Sequence, residues 1–421
     1  MAVWNKNRSS QDESINIELS EKNQKTRVIL FVLLLAFGLT MIGRGLFEML
    51  TQDSGWRMVE PNKTEEYNCS EDFVFMYNIG ASGVSATQEY KNIVSIYSDA
   101  TVKAFQIFTS DCEYEDVNNV YYINQHPNEE IEVDDALYEA FSLIQEYENR
   151  NIYLAPIYVQ YDDMFFCDDD LQIVDYDPFT NEEVAAYYQE VAGYAANAEM
   201  IDIQLLGDNK VKLYISDEYM KYAEENYITT FIDFFWMKNA FIADYLADIM
   251  ISKGYTLGTI SSYDGFVRNL DDSGERYSFN IFDKIPGKNA VNNAAVMQYS
   301  GANSIVYLRN YMLYDMDTDY YYQLKNGELR TSYIDITDGK CRNSIDSFVA
   351  YAYDKSCAEV LMQIIPLYIS EEFSEDTVLG LKDAGVYSIY CKDHMIIYND
   401  SKIELSDLYS NETITYQTEL K

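Results

Sequence analysis

Apolar residues recur at two spacings along this chain, and each spacing predicts one kind of element. Five segments repeat them at helical spacing, which is typical of amphipathic helices: 86–108, 134–147, 180–193, 237–252 and 356–365. The third segment opens with the capping-box spacing Thr180-Asn181-Glu182-Glu183, and the fifth is expected to end before Pro366.

Shorter apolar runs between turn residues predict β-strands. The clearest pair is 201–206 and 210–215, joined as a hairpin by Gly207-Asp208-Asn209, and a second hairpin is predicted at 387–398. Further strands are predicted at 255–261, 278–285, 294–298, 304–307 and 347–353. Hairpins mixed with single helices predict an α+β fold with largely antiparallel sheets flanked by helices.

The longest apolar run lies near the N-terminus. Residues 28–43 carry no charge, and a snorkelling Arg44 extends the run to about 20 residues, enough to cross a bilayer. Lys22, Lys25 and Arg27 precede it, so the positive-inside rule puts the N-terminus in the cytoplasm. A cleaved signal peptide is the alternative, although no A-x-A site follows the run.

These patterns divide the chain into four parts. They are a cytoplasmic tail (1–27), a single transmembrane anchor (28–50), a stalk (51–71) and an extracytoplasmic domain (72–421). The last part is long enough for two subdomains or one large domain. We therefore expect a single-pass protein of the cell membrane with its bulk outside the cytoplasm.

Charge narrows the choice of partners. Seventy acidic residues against thirty lysines and arginines give a net charge of −40, which argues against nucleic acid as a partner. Metal cations suit this charge better, although the simplest interpretation is a solvated, self-repelling surface. Two histidines leave little for histidine-based chemistry, and six cysteines permit disulfides that their spacings do not assign.

Several stretches, in the same order, resemble the ApbE-type FAD:protein FMN transferases over most of residues 86–420. DFFWMKNAFIAD at 233–244 stands where that family has D-L-G-G-I-A-K-G-Y-A-V-D. NNVYYIN at 118–124 stands where it has S-E-I-S-R-L-N, and CAEVLMQ at 357–363 resembles A-D-A-L-A-T. Arg330-Thr331-Ser332 resembles the family's T-S-G.

The resemblance implies an exported enzyme that uses Mg²⁺ to split FAD and attach FMN to a Thr or Ser of a target protein. It assigns catalysis to Asp244. It assigns cofactor binding to four residues: Asp233, Thr331, Ser332 and Asn124. The family's acid and threonine for Mg²⁺ become Glu359 and Gln363.

Other differences from the family's motifs change the size or the charge of the side chains. The family's Gly-Gly is Phe235-Trp236 here, and aromatic bulk would keep the main chain away from a diphosphate. The family's Lys-Gly is Asn239-Ala240, so the cation beside the phosphates is missing, and the Gly of T-S-G is Tyr333.

Each candidate also has a structural explanation. Ser356 to Glu359 has capping-box spacing, which accounts for Glu359 without a metal. Asp233 would cap a helix or mark a turn, Asp244 would be solvated, and Thr331 and Ser332 would be turn residues.

Three hypotheses about function follow from the sequence. The first is a membrane-anchored ApbE-like protein with a degenerate flavin-transferase site and a binding role toward a flavin, a redox protein or another envelope component. The second is an active Mg²⁺-dependent FAD:protein FMN transferase. The third is an acidic surface interaction module without any link to flavin.

Overall fold

A computed structural model of the chain describes residues 34, 37, 40 and 41, and then residues 53–421 except 65, 286–289, 315–319 and 413. The chain divides into two compact units, Met1–Asp53 and Ser54–Lys421. Residues 34, 37, 40 and 41 of the first unit are helical; the tail and anchor predicted at 1–27 and 28–50 otherwise lie outside the described residues. Within the described parts, no helix has the length and apolar character needed to cross a bilayer.

The second unit contains α-helices, which are numbered here in chain order. Their bounds are α1 Ala86–Phe108, α2 Val120–Gln125, α3 Asp135–Glu146, α4 Ala155–Phe165, α5 Asp170–Ile173, α6 Glu182–Ala196, α7 Asp217–Asn226, α8 Lys238–Ser252, α9 Cys357–Tyr368 and α10 Glu375–Asp383. A 3-10 turn, Phe235–Met237, leads directly into α8.

The strands follow the same order. Their bounds are β1 Gly55–Met58, β2 Phe73–Ile79, β3 Ile131–Glu132, β4 Ile201–Gly207, β5 Lys210–Ile215, β6 Gly258–Ser262, β7 Phe266–Asn269, β8 Arg276–Lys284, β9 Val291–Ser300, β10 Asn303–Arg309, β11 Tyr321–Gln323, β12 Leu329–Thr331, β13 Ser347–Ala352, β14 Tyr387–Lys392, β15 Met395–Tyr398, β16 Glu404–Ser406 and β17 Gln417–Leu420.

A nine-stranded main sheet carries the fold, in the order β1-β2-β6-β7-β10-β13-β14-β15-β17. Neighbouring strands are antiparallel except for β15 and β17. The segment predicted as a stalk contributes β1, which pairs with β2 at one edge. Smaller sheets have the orders β16-β9-β8, β3-β5-β4 and β11-β12.

Both faces of the main sheet are covered, as the side chains of β10 show. Val306 and Leu308 belong to the large hydrophobic core that also contains the apolar faces of α1, α8 and α9. Ile305 and Tyr307, which alternate with them, belong to a smaller core shared with β8 and β9. Because successive side chains of a strand point to opposite faces, β10 is buried on both sides.

The predicted mixture of helices and antiparallel hairpins is confirmed. α1 has the predicted bounds, and β4 and β5 form the predicted hairpin. β14 and β15 form the second hairpin, in which Asp393 and His394 have φ of +52° and +62° and make the two-residue turn.

Two predicted helix ends are wrong. The side chain of Asn181, not Thr180, caps α6 by accepting from the backbone N–H of Glu183. α9 does not end before Pro366 but continues to Tyr368. Leu367 and Tyr368 are buried, and their packing offsets the single hydrogen bond that a proline removes.

A buried ion pair joins β12 to the segment before α6. Arg330 donates from Nε and Nη2 to the two carboxylate oxygens of Asp177 at 2.8 and 3.0 Å. The Arg330 side chain is 6% exposed and that of Asp177 is fully buried. We predict that Asp177→Ala lowers the free energy of unfolding by about 3–5 kcal/mol. The buried guanidinium would lose its bidentate partner and keep only the exposed Glu328 carboxylate, which lies 3.2 Å from Nη2.

Denaturant unfolding measures this change, and the exposed pair Arg276–Glu404 supplies the control. Its side chains are 68% and 63% exposed, so we expect Glu404→Ala to change the free energy of unfolding by less than about 1 kcal/mol. Equal losses in the two variants would contradict the prediction.

Candidate functional site

The chain that enters α8 is held in place by Asn124. The Asn124 side-chain oxygen accepts from the backbone N–H groups of Phe231 and Ile232 at 2.8 and 3.0 Å. Its amide nitrogen donates to the Ile232 carbonyl at 2.9 Å. Asn124 is buried. It was predicted to bind a cofactor, and in the structure its amide holds the main chain in position.

Asp233 fixes the turn that follows. Its carboxylate accepts from the backbone N–H of Phe235 and from the hydroxyl of Ser110, both at 2.7 Å. Burial raises the pKa of the Asp233 carboxyl, while Lys238 and these hydrogen bonds oppose the rise. The sequence offered a turn role and a cofactor role for Asp233, and the contacts are those of a turn.

Phe235 keeps a glycine-like backbone conformation. Its φ is +42°, in the left-handed region that bulky residues avoid. The family that the sequence resembles has glycine at this position. The Phe235 ring stacks on Tyr158 with centroids 4.8 Å apart, and this packing holds a conformation that is strained for phenylalanine.

Trp236 fills the space beside that turn. It packs edge-on against Tyr333 with ring centroids 5.0 Å apart, and Tyr333 packs in the same way against Tyr368. Trp236 and Tyr333 both stand where the resemblance has glycine. The remaining cavity, lined also by Asp264 and Ser332, measures about 10 Å³, which is room for one water molecule.

Thr331 and Ser332 lie at the end of β12, beside this small cavity. Both are buried, and Ser332 lines the cavity itself. The Thr331 hydroxyl has no hydrogen-bond partner among the described residues. These two predicted flavin contacts therefore adjoin the start of α8, as the resemblance implies, with no room between for a flavin.

Asp264 is a site residue that the sequence did not reveal. It accepts from the Asn239 amide at 3.0 Å, where the resemblance has lysine. The second carboxylate oxygen lacks a hydrogen-bond partner among the described residues, and burial raises the pKa of the Asp264 carboxyl to about 6. Asp264-Gly265 is a turn signal in sequence, which gave no indication of a buried acid.

Asp244 caps the N-terminus of α9. Its two carboxylate oxygens accept from the backbone N–H groups of Cys357 and Ala358, each at 2.8 Å, and Arg268 donates to it as well. A carboxylate at a helix N-terminus satisfies otherwise unpaired donors and interacts favourably with the helix dipole. Sequence reasoning missed this role because the helix that Asp244 caps lies over 100 residues later in the chain.

Glu359 and Gln363 are engaged within the first turns of α9. Glu359 accepts from the backbone N–H of Ser356 at 2.7 Å, while its own N–H donates to the Ser356 hydroxyl at 3.1 Å, so the capping box is formed. Gln363 donates to the Glu359 carbonyl at 3.1 Å and to the Tyr147 hydroxyl at 3.3 Å. The predicted metal residues thus have partners in the protein.

The structure brings the predicted residues together in two groups. Asp244, Glu359 and Gln363 gather at the start of α9, where a groove of about 550 Å³ borders Asp244 and Glu359. Asp233 and Asn124 fix the entry to α8, and Ser332 and Trp236 meet at the small cavity.

These residues do not fit the groups that the resemblance implies. Sites for ligands of drug size measure roughly 300–1,000 Å³, whereas the cavity at the start of α8 is about 10 Å³. Among the residues that the structure describes, no group of three or more His, Cys, Asp and Glu side chains is arranged to hold a metal ion. All six cysteines are free thiols.

Comparisons with known proteins bear on the fold alone. No protein-family model matches the chain, and no curated protein matches it. Among solved structures, the ApbE protein of Thermotoga maritima matches with a TM-score of 0.51 at 13% identity, over 83% of this chain and 97% of that one. The chain has an ApbE-like fold. Flavin transferase ApbE of Vibrio cholerae matches with a TM-score of 0.50 at 10% identity, over 84% of this chain and 98% of that one.

This ApbE-like fold agrees with the family resemblance that the sequence motifs indicated. At these identities the likeness extends to the arrangement of helices and strands, while the roles of the individual site residues remain predictions.

The partly buried Asp264 predicts a pH dependence of stability. Its pKa of about 6 in the folded protein lies above the ordinary value of 3.8, so the native state holds this proton more tightly than the unfolded state. The stabilisation is complete below about pH 4 and is lost as the pH rises through 6. We expect Asp264→Asn to become more stable relative to the wild type by roughly 2.5 kcal/mol between pH 4 and 7.5.

Denaturant unfolding at the two pH values measures the difference, in which the contributions of all other groups cancel. Asp272→Asn, at an exposed position, is the control and should show no such change. A constant difference between Asp264→Asn and the wild type would contradict the prediction.

The capping role of Asp244 also predicts a loss of stability. We expect Asp244→Ala to lower the free energy of unfolding by roughly 2–4 kcal/mol, because two N–H groups of α9 and Arg268 lose their acceptor. Asp248, one turn further along α8, is the matched control, since its carboxylate is 72% exposed and lies 3.8 Å from Arg268. Asp248→Ala should cost less than about 1 kcal/mol, and an equal cost in calorimetric or denaturant unfolding would argue against the capping role.

Proposed function

We propose that this protein is a flavin-transferase-related binding protein in which the nucleotide site of the ApbE fold is closed. The observation that carries the proposal is the contact between Trp236 and Tyr333, with ring centroids 5.0 Å apart. Two side chains occupy a place where the resembled family has none, so the main chain at the start of α8 is not accessible to a diphosphate.

Loss of charge supports the same proposal. Asn239 replaces the family's lysine and uses its amide to bind Asp264. A buried carboxyl beside the position of a diphosphate would repel it whenever both are ionised. Glu359 and Gln363 are bound within α9 and to Tyr147, so recruitment of Mg²⁺ by these residues would require breaking the capping box.

The setting that we propose is a membrane. The uncharged run at 28–43, preceded by lysine and arginine, supports a single-pass anchor with the ApbE-like unit outside the cytoplasm. Of the partners that the sequence suggested, a redox protein or another component of the envelope agrees with a closed nucleotide site, whereas a flavin does not.

An active Mg²⁺-dependent FAD:protein FMN transferase is the second candidate. The observation that favours it is the groove of about 550 Å³ beside Asp244 and Glu359, which is large enough for a substrate. In that case the reaction would use this groove rather than the start of α8.

Incubation with FAD, Mg²⁺ and an acceptor protein distinguishes the candidates. We expect no flavin fluorescence on the acceptor after denaturing electrophoresis, and no saturable change in FAD fluorescence on titration of the protein, because the cavity beside Trp236 does not accommodate the nucleotide. Flavin transferase ApbE of Vibrio cholerae, assayed in parallel, shows that the acceptor and Mg²⁺ are competent.

Transfer of FMN at a rate comparable to that control would overturn the closed-site proposal and favour the transferase. Transfer that is abolished by Glu359→Gln would identify the groove as its location, since Glu359 borders the groove.

A further inference from the structure

The groove beside Asp244 combines an apolar floor with acidic walls. It lies between α3, α8 and the start of α9, and its volume is about 550 Å³. Its apolar lining is Phe108, Ala136, Ala140, Leu143, Phe241, Tyr245 and Ile249. Its acidic lining is Asp134, Asp135, Glu139, Asp244, Asp248 and Glu359. We call this feature the acidic groove.

The carboxylates form a row on each long wall. Asp135 and Glu139 are four residues apart on α3, and Asp244 and Asp248 are four residues apart on α8. Residues at this spacing lie one above the other on a helix, about one turn or 5.4 Å apart. Negative charge therefore repeats at helical intervals along both sides of the apolar floor.

Few positive charges of the described residues balance these six carboxylates. Lys103 contacts Asp134 at 2.9 Å, and Arg268 contacts Asp244 and lies 3.8 Å from Asp248. Partial desolvation in the groove raises the pKa of the Asp248 carboxyl, whose side chain is still 72% exposed. The charges of Asp244 and Glu139 raise this pKa further, while Arg268 opposes the rise. Since Glu139 lies on α3 and Asp248 on α8, the two walls repel each other across the groove.

The combination of apolar and acidic lining residues determines which kind of ligand the groove could bind. Four of the apolar lining residues are partly exposed: Ala136, Leu143, Tyr245 and Ile249. A small inorganic cation would reduce the repulsion but leave these four side chains in water. A neutral apolar ligand would cover the floor but leave the walls unpaired. A ligand with an apolar face flanked by positive charges at one-turn intervals would satisfy both, and a basic amphipathic helix has this pattern.

We propose that the acidic groove binds a basic amphipathic helix of a partner protein, with leucine-like side chains on the floor and lysine or arginine against the walls. The proposal rests on the binding role proposed above and gives that role a partner chemistry. Its test is separate from the test of the closed site, because the groove and the small cavity beside Trp236 are lined by different residues.

Fluorescence anisotropy with the full-length protein tests the proposal. The probe is a labelled peptide of leucine and lysine in an amphipathic helical pattern, roughly 14 residues or four turns long. We expect saturable binding that weakens at least tenfold when salt rises from about 0.05 to 0.5 M, since exposed charge pairs are screened. Two control peptides, one of scrambled order and one with glutamate for lysine, should bind at least tenfold more weakly.

Matched variants assign the binding to the groove rather than to the net charge of −40. The double variant Glu139→Gln/Asp248→Asn removes one carboxylate from each wall, and we expect about five- to tenfold weaker binding. Asp208→Asn/Glu224→Gln removes the same charge at exposed positions outside the groove lining and should leave the affinity within about twofold.

Circular dichroism of each variant establishes that it is folded before its affinity is compared. Equal weakening by both double variants would overturn the proposal in favour of non-specific attraction, and so would equal binding of the scrambled peptide. Absence of saturable binding at low salt would overturn it as well. Each of these results is independent of FAD, so failure here is distinguishable from failure of the closed-site proposal.

Discussion

Tight packing at the start of α8 is the constraint around which the candidate site is arranged. Phe235 keeps φ at +42°, a conformation suited to glycine, and Asp233 holds it by accepting from the Phe235 N–H at 2.7 Å. The turn before α8 thus has a backbone conformation that glycine adopts readily and phenylalanine does not. What differs is the side chains, because Trp236 and Tyr333 meet over that turn. The two rings enclose the turn, and the cavity beside them measures about 10 Å³.

Asp244, which the family resemblance assigns to catalysis, makes contacts that are those of a structural residue. It accepts from two N–H groups of α9 and from Arg268 on β7, so one carboxylate joins two helices and a strand of the main sheet. A group with this many fixed donors is poorly placed to move a proton. The same contacts hold the first turn of α9 in place, and with it the neighbouring Glu359. Asp244 could therefore have a positioning role in a binding protein and in an active transferase.

Local patterns predicted the elements of this fold well, and contacts distant in sequence account for what they missed. The hairpin at Gly207-Asp208-Asn209 and helix α1 follow from turn chemistry and apolar spacing, which are properties of neighbouring residues. The ends of α6 and α9 depend on whether Asn181 or Thr180 reaches an N–H and on the burial of Leu367 and Tyr368. Neither the capping contact nor this burial can be predicted from the spacing of apolar residues along the chain.

At the candidate site, the sequence indicated several of the residues but not their hydrogen-bond and ion-pair partners. Motif order indicated that Asp233, Thr331 and Glu359 matter, and the alternative of a capping box at Ser356 was visible in the sequence. The burial of Asp264 and the pairing of Asp244 with Arg268 were not, since each requires that two strands and a helix be brought together. The bulk at Trp236 was predicted to block a diphosphate, and the cavity of about 10 Å³ is consistent with that prediction.

Helix α8 therefore presents two different chemistries along its length. Its start is enclosed by aromatic rings, which exclude water and disfavour charge. One to three turns later Asp244 and Asp248 face an open groove in which carboxylates outnumber the cations that contact them. The carboxylates on the two walls repel one another in the free protein, and a bound basic helix would relieve this repulsion.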